Sequence, residues 1–189
     1  MLRQHRLQTE DTKQEWILVG YELFAKEGPK GLKVEVIARK VGKSKSSFYH
    51  YFADMEVFTE LLLHYHIEQA KIIGQKERMC KNVVPELLLL LVEIKQDLLF
   101  NRQLRIHRNI PAFKDCFEKV NREIGEAIIG IWAEMLGIPT QESLANLVLG
   151  LTMENFYLQI TEETLNYDWL LNYVQEIRLM VQGFKNNGK

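Results

Sequence analysis

Positions 43–51 read Lys43-Ser44-Lys45-Ser46-Ser47-Phe48-Tyr49-His50-Tyr51. The stretch joins ammonium groups, hydroxyls, an imidazole and phenols, and it contains no carboxylate. Such groups donate hydrogen bonds to phosphate oxygens and to base edges, so the chemistry they offer is capture of a polyanion rather than turnover. At 100° per residue, with Phe48 turned inward, Phe52 falls beside it. Ser46, Ser47 and His50 then point away, flanked by Lys45 and Tyr49 on one side and Tyr51 on the other. A helix starting at Ser44 would add its first backbone N–H groups as phosphate donors. Taken alone, the same pattern also describes a solvated surface helix that lacks acids.

Other chemistries find no footing. There is no Ser/His/Asp order, no H-E-x-x-H and no phosphate loop. His64 and His66 diverge by about 200° on a helix and cannot share a metal. Cys80 and Cys116 have no CxxC spacing. The chain is therefore expected not to be an enzyme and to need neither cofactor nor metal.

The 189 residues carry 24 Lys and Arg against 25 Asp and Glu, a net charge of −1. Any polyanion surface must therefore be local. The first fifty residues hold ten basic and six acidic side chains, an excess of +4 that leaves −5 for the remainder. This layout suits a head that meets a polyanion and a body that does not. Hydrophobic residues at 47% are ordinary for a globular chain. The strongest apolar run, Leu87–Val92, is far short of the ~20 residues a membrane span needs. The N-terminus shows no apolar stretch of signal-peptide length. A soluble, cytoplasmic protein without membrane contact is expected.

The elements that must position the 43–51 stretch are helices. Thr12-Lys13-Gln14-Glu15 has capping-box spacing and opens a helix over roughly 12–27, closed by Gly28-Pro29. Val34, Ile37, Ala38 and Val41 form the inner face of a short second helix that Gly42 breaks. Ser44 caps the third helix, and Asp54 caps a fourth that runs to about residue 74. A glycine turn between two short helices, propped by a longer one, is a helix-turn-helix. Beyond it, Pro85 suits the first turn of a helix through Leu87–Phe100, with a short element over 102–109. A long helix over Phe113–Leu136 ends at Gly137. Thr140 caps a helix bearing Leu144, Leu147, Leu151 and Phe156, and a last helix carries Leu170, Tyr173, Val174, Ile177 and Val181. Residues 1–9 and 185–189 are expected to be unstructured. No segment alternates as a strand.

The segment Gly28-Pro-Lys-Gly-Leu-Lys-Val-Glu-Val-Ile37-Ala38, then Gly42, then Phe48-Tyr49-His-Tyr-Phe52, preceded by Leu23-Phe24, resembles the N-terminal domain of TetR-family transcriptional repressors. The shared features are LF-x3-G, IA, a glycine in the turn and [LF]-Y-x2-F, over roughly residues 12–60. The resemblance implies an all-α chain. A three-helix, helix-turn-helix DNA-binding head covers residues 11–71, with the motif itself at about 34–53. A helical-bundle ligand-binding and dimerisation domain covers 72–189. It also implies that Lys33, Lys43, Ser44, Lys45, Ser46, Ser47, Tyr49, His50 and Tyr51 contact DNA. Two positions depart from the family pattern. Leu32 and Lys33 stand where a threonine pair is common, which removes a hydroxyl cap worth about 1 kcal/mol. Met55 stands where a lysine is usual, which removes one phosphate contact and lowers the salt slope by about one unit.

In the body, Phe100, Phe117, Trp132, Met153, Phe156 and Tyr157 are candidates to line an apolar ligand pocket, although each would serve equally as core. Arg102, Arg105, His107 and Arg108 would suit an anionic ligand or a solvated face, and Asn155 and Gln159 a ligand or solvent. The resemblance implies an inducible repressor: a homodimer, paired through its last two helices, on a near-palindromic double-stranded operator, released by a small-molecule inducer. The alternative is a helical partner-binding protein with a vestigial head.

Overall fold

The computed structural model describes residues 2–187, with side chains described for 13–184. The elements are α1 (Leu2–Glu27), a 3-10 turn (Gly28–Gly31), α2 (Val34–Val41), α3 (Lys45–Tyr51), α4 (Met55–Met79), a π-type turn (Val83–Leu87), α5 (Leu88–Glu93), α6 (Lys95–Ile106), α7 (Pro111–Met135), α8 (Glu142–Gln159) and α9 (Tyr167–Asn187). Among the described residues there is no strand. None of the described helices is long and apolar enough to cross a membrane.

The head is organised by its caps. α2 ends where Gly42 turns to φ 70°, a left-handed conformation that costs glycine little. Ser44 and Asp54 accept the N–H groups of Ser47 and Val57 at 3.2 and 2.9 Å, opening α3 and α4. Between these ends sits a fully buried aromatic cluster. Phe48 meets Trp16, Phe52 and Phe58 at centroid distances of 5.6, 5.0 and 5.2 Å, and Phe52 meets Phe58 at 4.8 Å. Edge-on and tilted ring contacts of this kind add about 0.5–1.5 kcal/mol each beyond area burial. They hold α3 against α1 and α4 by one face only, leaving the opposite face outside.

Several boundaries differ from expectation. α1 begins at Leu2, ahead of the expected start at residue 12. Residues 2–11 contain neither glycine nor proline, so nothing in that stretch halts a helix. Thr12 therefore lies within the helix rather than at its cap, and its side chain is outside the described residues. α9 continues to Asn187, so only residues 188 and 189 of the expected C-terminal tail lie outside the described part. The helix expected through Leu87–Phe100 is broken at Ile94, whose backbone leaves helical values (φ −90°, ψ 23°), and α6 absorbs most of the short element expected at 102–109. The cap of α8 is Gln141 rather than Thr140, with no side-chain hydrogen bond.

In the body, α4 packs along α7, α1 along α6, and α7 against α8. A buried polar chain crosses this packing. The Tyr21 hydroxyl donates to Asp97 Oδ1 at 2.7 Å and lies 2.6 Å from His66 Nδ1. Asn101 lies 3.4 Å from His66 Nε2 and donates to Asn121 Oδ1 at 3.0 Å. Burial depresses the His66 pKa to about 4, which keeps the ring neutral near pH 7.

α1 and α4 approach closely at one point. A Cβ added to Gly20 would stand 2.5 Å from Cζ of Phe58, whose ring is fully buried and has no room to yield. Gly20→Ala is therefore expected to destabilise the protein by about 1–3 kcal/mol by overpacking, seen as a lower midpoint in urea unfolding at unchanged slope. An unchanged midpoint would show that the two helices are not locked at this contact.

Candidate functional site

α3 carries the exposed groups. Lys43, Ser44, Lys45, Ser46, Tyr49 and His50 are exposed, and Ser47 and Tyr51 are half-buried, while Phe48 is buried beneath them. Lys33 is exposed at the cap of α2. All nine side chains expected to meet DNA thus lie at least partly in solvent, within the α2–α3 region. Tyr49 stacks edge-on to Phe48 at 5.4 Å, and His50 lies edge-on to Tyr51 at 5.2 Å, so the rings are steadied by neighbours. The N-terminus of α3 is less open than the sequence suggests. Ser44 Oγ takes the Ser47 N–H, and the Ser44 hydroxyl also lies 3.3 Å from that of Ser47.

The two departures have a structural place. Leu32 is buried, so the residue that replaces a hydroxyl contributes to the core of the head instead. Lys33 caps α2 with no side-chain hydrogen bond, as a lost hydroxyl cap requires. Met55 opens α4 and packs partly buried against the core.

One group was not foreseen from the sequence. Glu35, on α2, places its carboxylate 2.5 Å from the Lys45 ammonium. The hydrogen bond from Lys45 holds the Glu35 pKa below the usual carboxylate range. A surface read as free of acids from α3 alone therefore holds one, supplied by the neighbouring helix. Lys33 and Lys43 have no ion-pair partner among the described residues.

Sequence comparison matches residues 17–61 to the family described as bacterial regulatory proteins, tetR family. Residues 17–61, which span most of the head, are thus similar to the N-terminal segment of tetR-family regulators. No curated protein sequence matches the chain. Among solved structures, a transcriptional regulator from Rhodococcus sp. Rha1 superposes with a TM-score of 0.65 at 14% identity, covering 90% of this chain and 96% of that one. Salmonella enterica GusR gives 0.60 at 14% identity, covering 92% and 94%. A TerR/AcrR-family regulator from Aquifex aeolicus gives 0.58 at 19% identity, covering 92% and 99%. At these identities the likeness shows the fold, and it extends over head and body alike.

The body holds an apolar cavity of about 70 Å3. Of the expected lining residues, Trp132, Met153, Phe156 and Tyr157 border it. Phe100 does not. It is buried among Tyr21, Phe24 and His66 as core of the α1–α6 contact. Phe117 borders a separate, open surface groove with Met153 and packs edge-on to Tyr157 at 5.5 Å. The basic cluster at 102–108 is partly neutralised: Arg105 and Arg108 reach Glu154 at 2.5 and 3.6 Å. Asn155 accepts from Gln159 and from the Tyr173 hydroxyl.

Sequence reasoning missed Glu77 in this cavity. It lies on α4, is 1% exposed, and its Oε2 has no hydrogen-bond partner. Burial raises its pKa to about 7, against a lowering by Arg78 and a further rise from Glu123. Periodicity places position 77 on the inner face of α4, but a glutamate there carries no signature that separates it from a surface one.

Two outcomes are expected. Glu35→Gln frees Lys45 and is expected to tighten binding to duplex DNA by several-fold and to steepen its salt dependence, measured by fluorescence anisotropy across a salt series. Equal curves for variant and parent would show that the pair does not compete with phosphate. Glu77 binds more protons folded than unfolded between its ordinary pKa of 4.5 and about 7, so it costs stability as pH rises through that window. The total is about 3 kcal/mol by pH 8. His66 acts in the opposite sense as pH falls from 6.5 toward 4, so only a variant comparison isolates Glu77. Glu77→Gln is expected to melt like the parent at pH 5 and several degrees higher at pH 8, by calorimetry.

Proposed function

We propose that the protein is a homodimeric transcriptional repressor that binds a near-palindromic operator through α3 and is released by a small molecule in its body. The observation that carries this reading is the outer face of α3. Lys45, Ser46, Ser47, Tyr49 and His50 face solvent on a head of the tetR family, while Phe48 and Phe52 anchor the other side. In this reading Ser46, Ser47 and His50 address base edges. Lys33, Lys43, Ser44, Tyr49 and Tyr51 hold phosphates, and Lys45 reaches either once it leaves Glu35.

The domain division at about residue 71 falls within α4, which serves as a lever rather than a linker. At 1.5 Å per residue, Met55 and Glu77 stand about 33 Å apart on one helix. A ligand near Glu77 therefore acts at the far end of the element whose first turn follows the recognition helix. The shift needs only a ligand that prefers one body conformation, with about 1–3 kcal/mol of coupling being usual. Trp132, Met153, Phe156 and Tyr157 would form the ligand wall.

Dimerisation is supported by apolar stripes on the last two helices. Leu144, Leu147, Leu151 and Leu158 on α8, spaced three, four and seven apart, are all exposed. So are Leu179, Met180 and Phe184 on α9, Phe184 at 73%. Paired about a two-fold axis, these stripes would bury one another as a four-helix interface. Two heads spaced by about 34 Å would then read successive major grooves. Such a protein works in the cytoplasm, where its operator is.

The test is binding to the DNA flanking its own gene against random duplex of equal length. A preference of at least about 10³-fold is expected, and Lys45→Ala with His50→Ala should erase it while the dimer stays folded. Equal affinity for both duplexes at every salt concentration would overturn the reading. It would favour a partner-binding protein whose head has lost DNA.

A further inference from the structure

The cavity in the body is chemically lopsided. Aliphatic and aromatic side chains from the π-type turn through α9 line it, and Glu77, on α4, is the one charged residue on its wall among those described. Glu77 is almost wholly buried, and its Oε2 lacks a donor. The nearest cation, Arg78, is already committed to Glu123 on α7 at 2.8 Å. Trp132, on the same wall, is also buried. An unpaired carboxylate in apolar surroundings is costly, and the cost falls when a cation with N–H donors joins it.

We propose that this cavity is the receptor for a compact organic ammonium ion, its charge on the Glu77 carboxylate and its hydrocarbon against Trp132 and Phe156. The proposal deepens the ligand-responsive reading above and rests on it. Anions are excluded by Glu77. A neutral ligand leaves the carboxyl either charged without a partner or protonated. The cavity volume of about 70 Å3 also limits the ligand. It exceeds the ~10–15 Å3 that one water requires and falls well below the ~300–1,000 Å3 of drug-sized sites. The ligand is therefore a small amine and not an extended one. Because Glu77 lies on α4, its pairing acts directly on the helix that follows α3.

The other titratable groups near Glu77 are Arg78, Glu123, Tyr157 and Cys80. Burial raises both Tyr157 and Cys80, so neither ionises below pH 8. Arg78 and Glu123 are paired with each other at 2.8 Å. Affinity for an ammonium ion should therefore follow the ionisation of Glu77 and rise from pH 6 to pH 8.

The experiment is isothermal calorimetry on the full chain without DNA, using isopropylammonium chloride and its neutral counterpart 2-propanol, whose four heavy atoms suit the cavity. At pH 8 the ammonium ion is expected to bind at least tenfold tighter than the alcohol, with the preference shrinking at pH 6. Glu77→Gln should abolish the preference while keeping the affinity for 2-propanol, which shows that the cavity is intact. Should that variant fail to fold, the pH dependence of the parent protein decides alone. Equal or better binding of 2-propanol at pH 8, or no binding of either probe, overturns the proposal. Because no DNA is present, specific operator binding alongside either of those results would sink the ligand assignment and leave the regulator reading standing.

Discussion

The close passage of α1 over α4 at Gly20 governs the geometry of the head. The Phe58 ring occupies the space that any side chain at position 20 would need. With that ring seated, Trp16, Phe48 and Phe52 close around it, and α3 is fixed by Phe48 and by Phe52 at its C-cap. A helix of seven residues has little stability of its own. Its orientation is borrowed from this aromatic contact, and everything its outer face can touch follows from that orientation.

The body inherits the same rigidity through a different kind of bond. Tyr21 and His66, on α1 and α4, meet Asp97 and Asn101 on α6 in a buried polar chain that reaches Asn121 on α7. Polar chains of this kind demand particular partners where an apolar core accepts many arrangements. The four helices are thereby held in one register. The apolar cavity lies beyond this chain, toward α8 and α9, where the wall is mostly hydrocarbon and the Tyr173 hydroxyl donates to the Thr152 carbonyl at 2.9 Å.

Much of this was legible in the residues. Capping hydroxyls and carboxylates at Ser44 and Asp54, the glycine at 42 and the four-residue spacing of Phe48 and Phe52 are local signals, and each marks its element correctly. What was not legible depends on contacts between distant segments. The break at Ile94 follows no glycine or proline, and α6 turns there to lie along α1. Phe100 looked like a pocket residue because nothing in its neighbourhood reveals that Tyr21 and Phe24 cover it. Glu77 drew no notice for the converse reason, since nothing in its own neighbourhood shows that distant segments bury it. Glu35 escaped notice because helical-wheel reasoning on one helix is blind to carboxylates offered by the next.

The Glu35–Lys45 pair bears on the encounter proposed with DNA. A phosphate that recruits Lys45 would first displace the Glu35 carboxylate, so every duplex, cognate or not, would gain less from that lysine than from an unencumbered one. An internal acid beside the proposed reading surface would thus loosen the grip uniformly and shorten the dwell at any site.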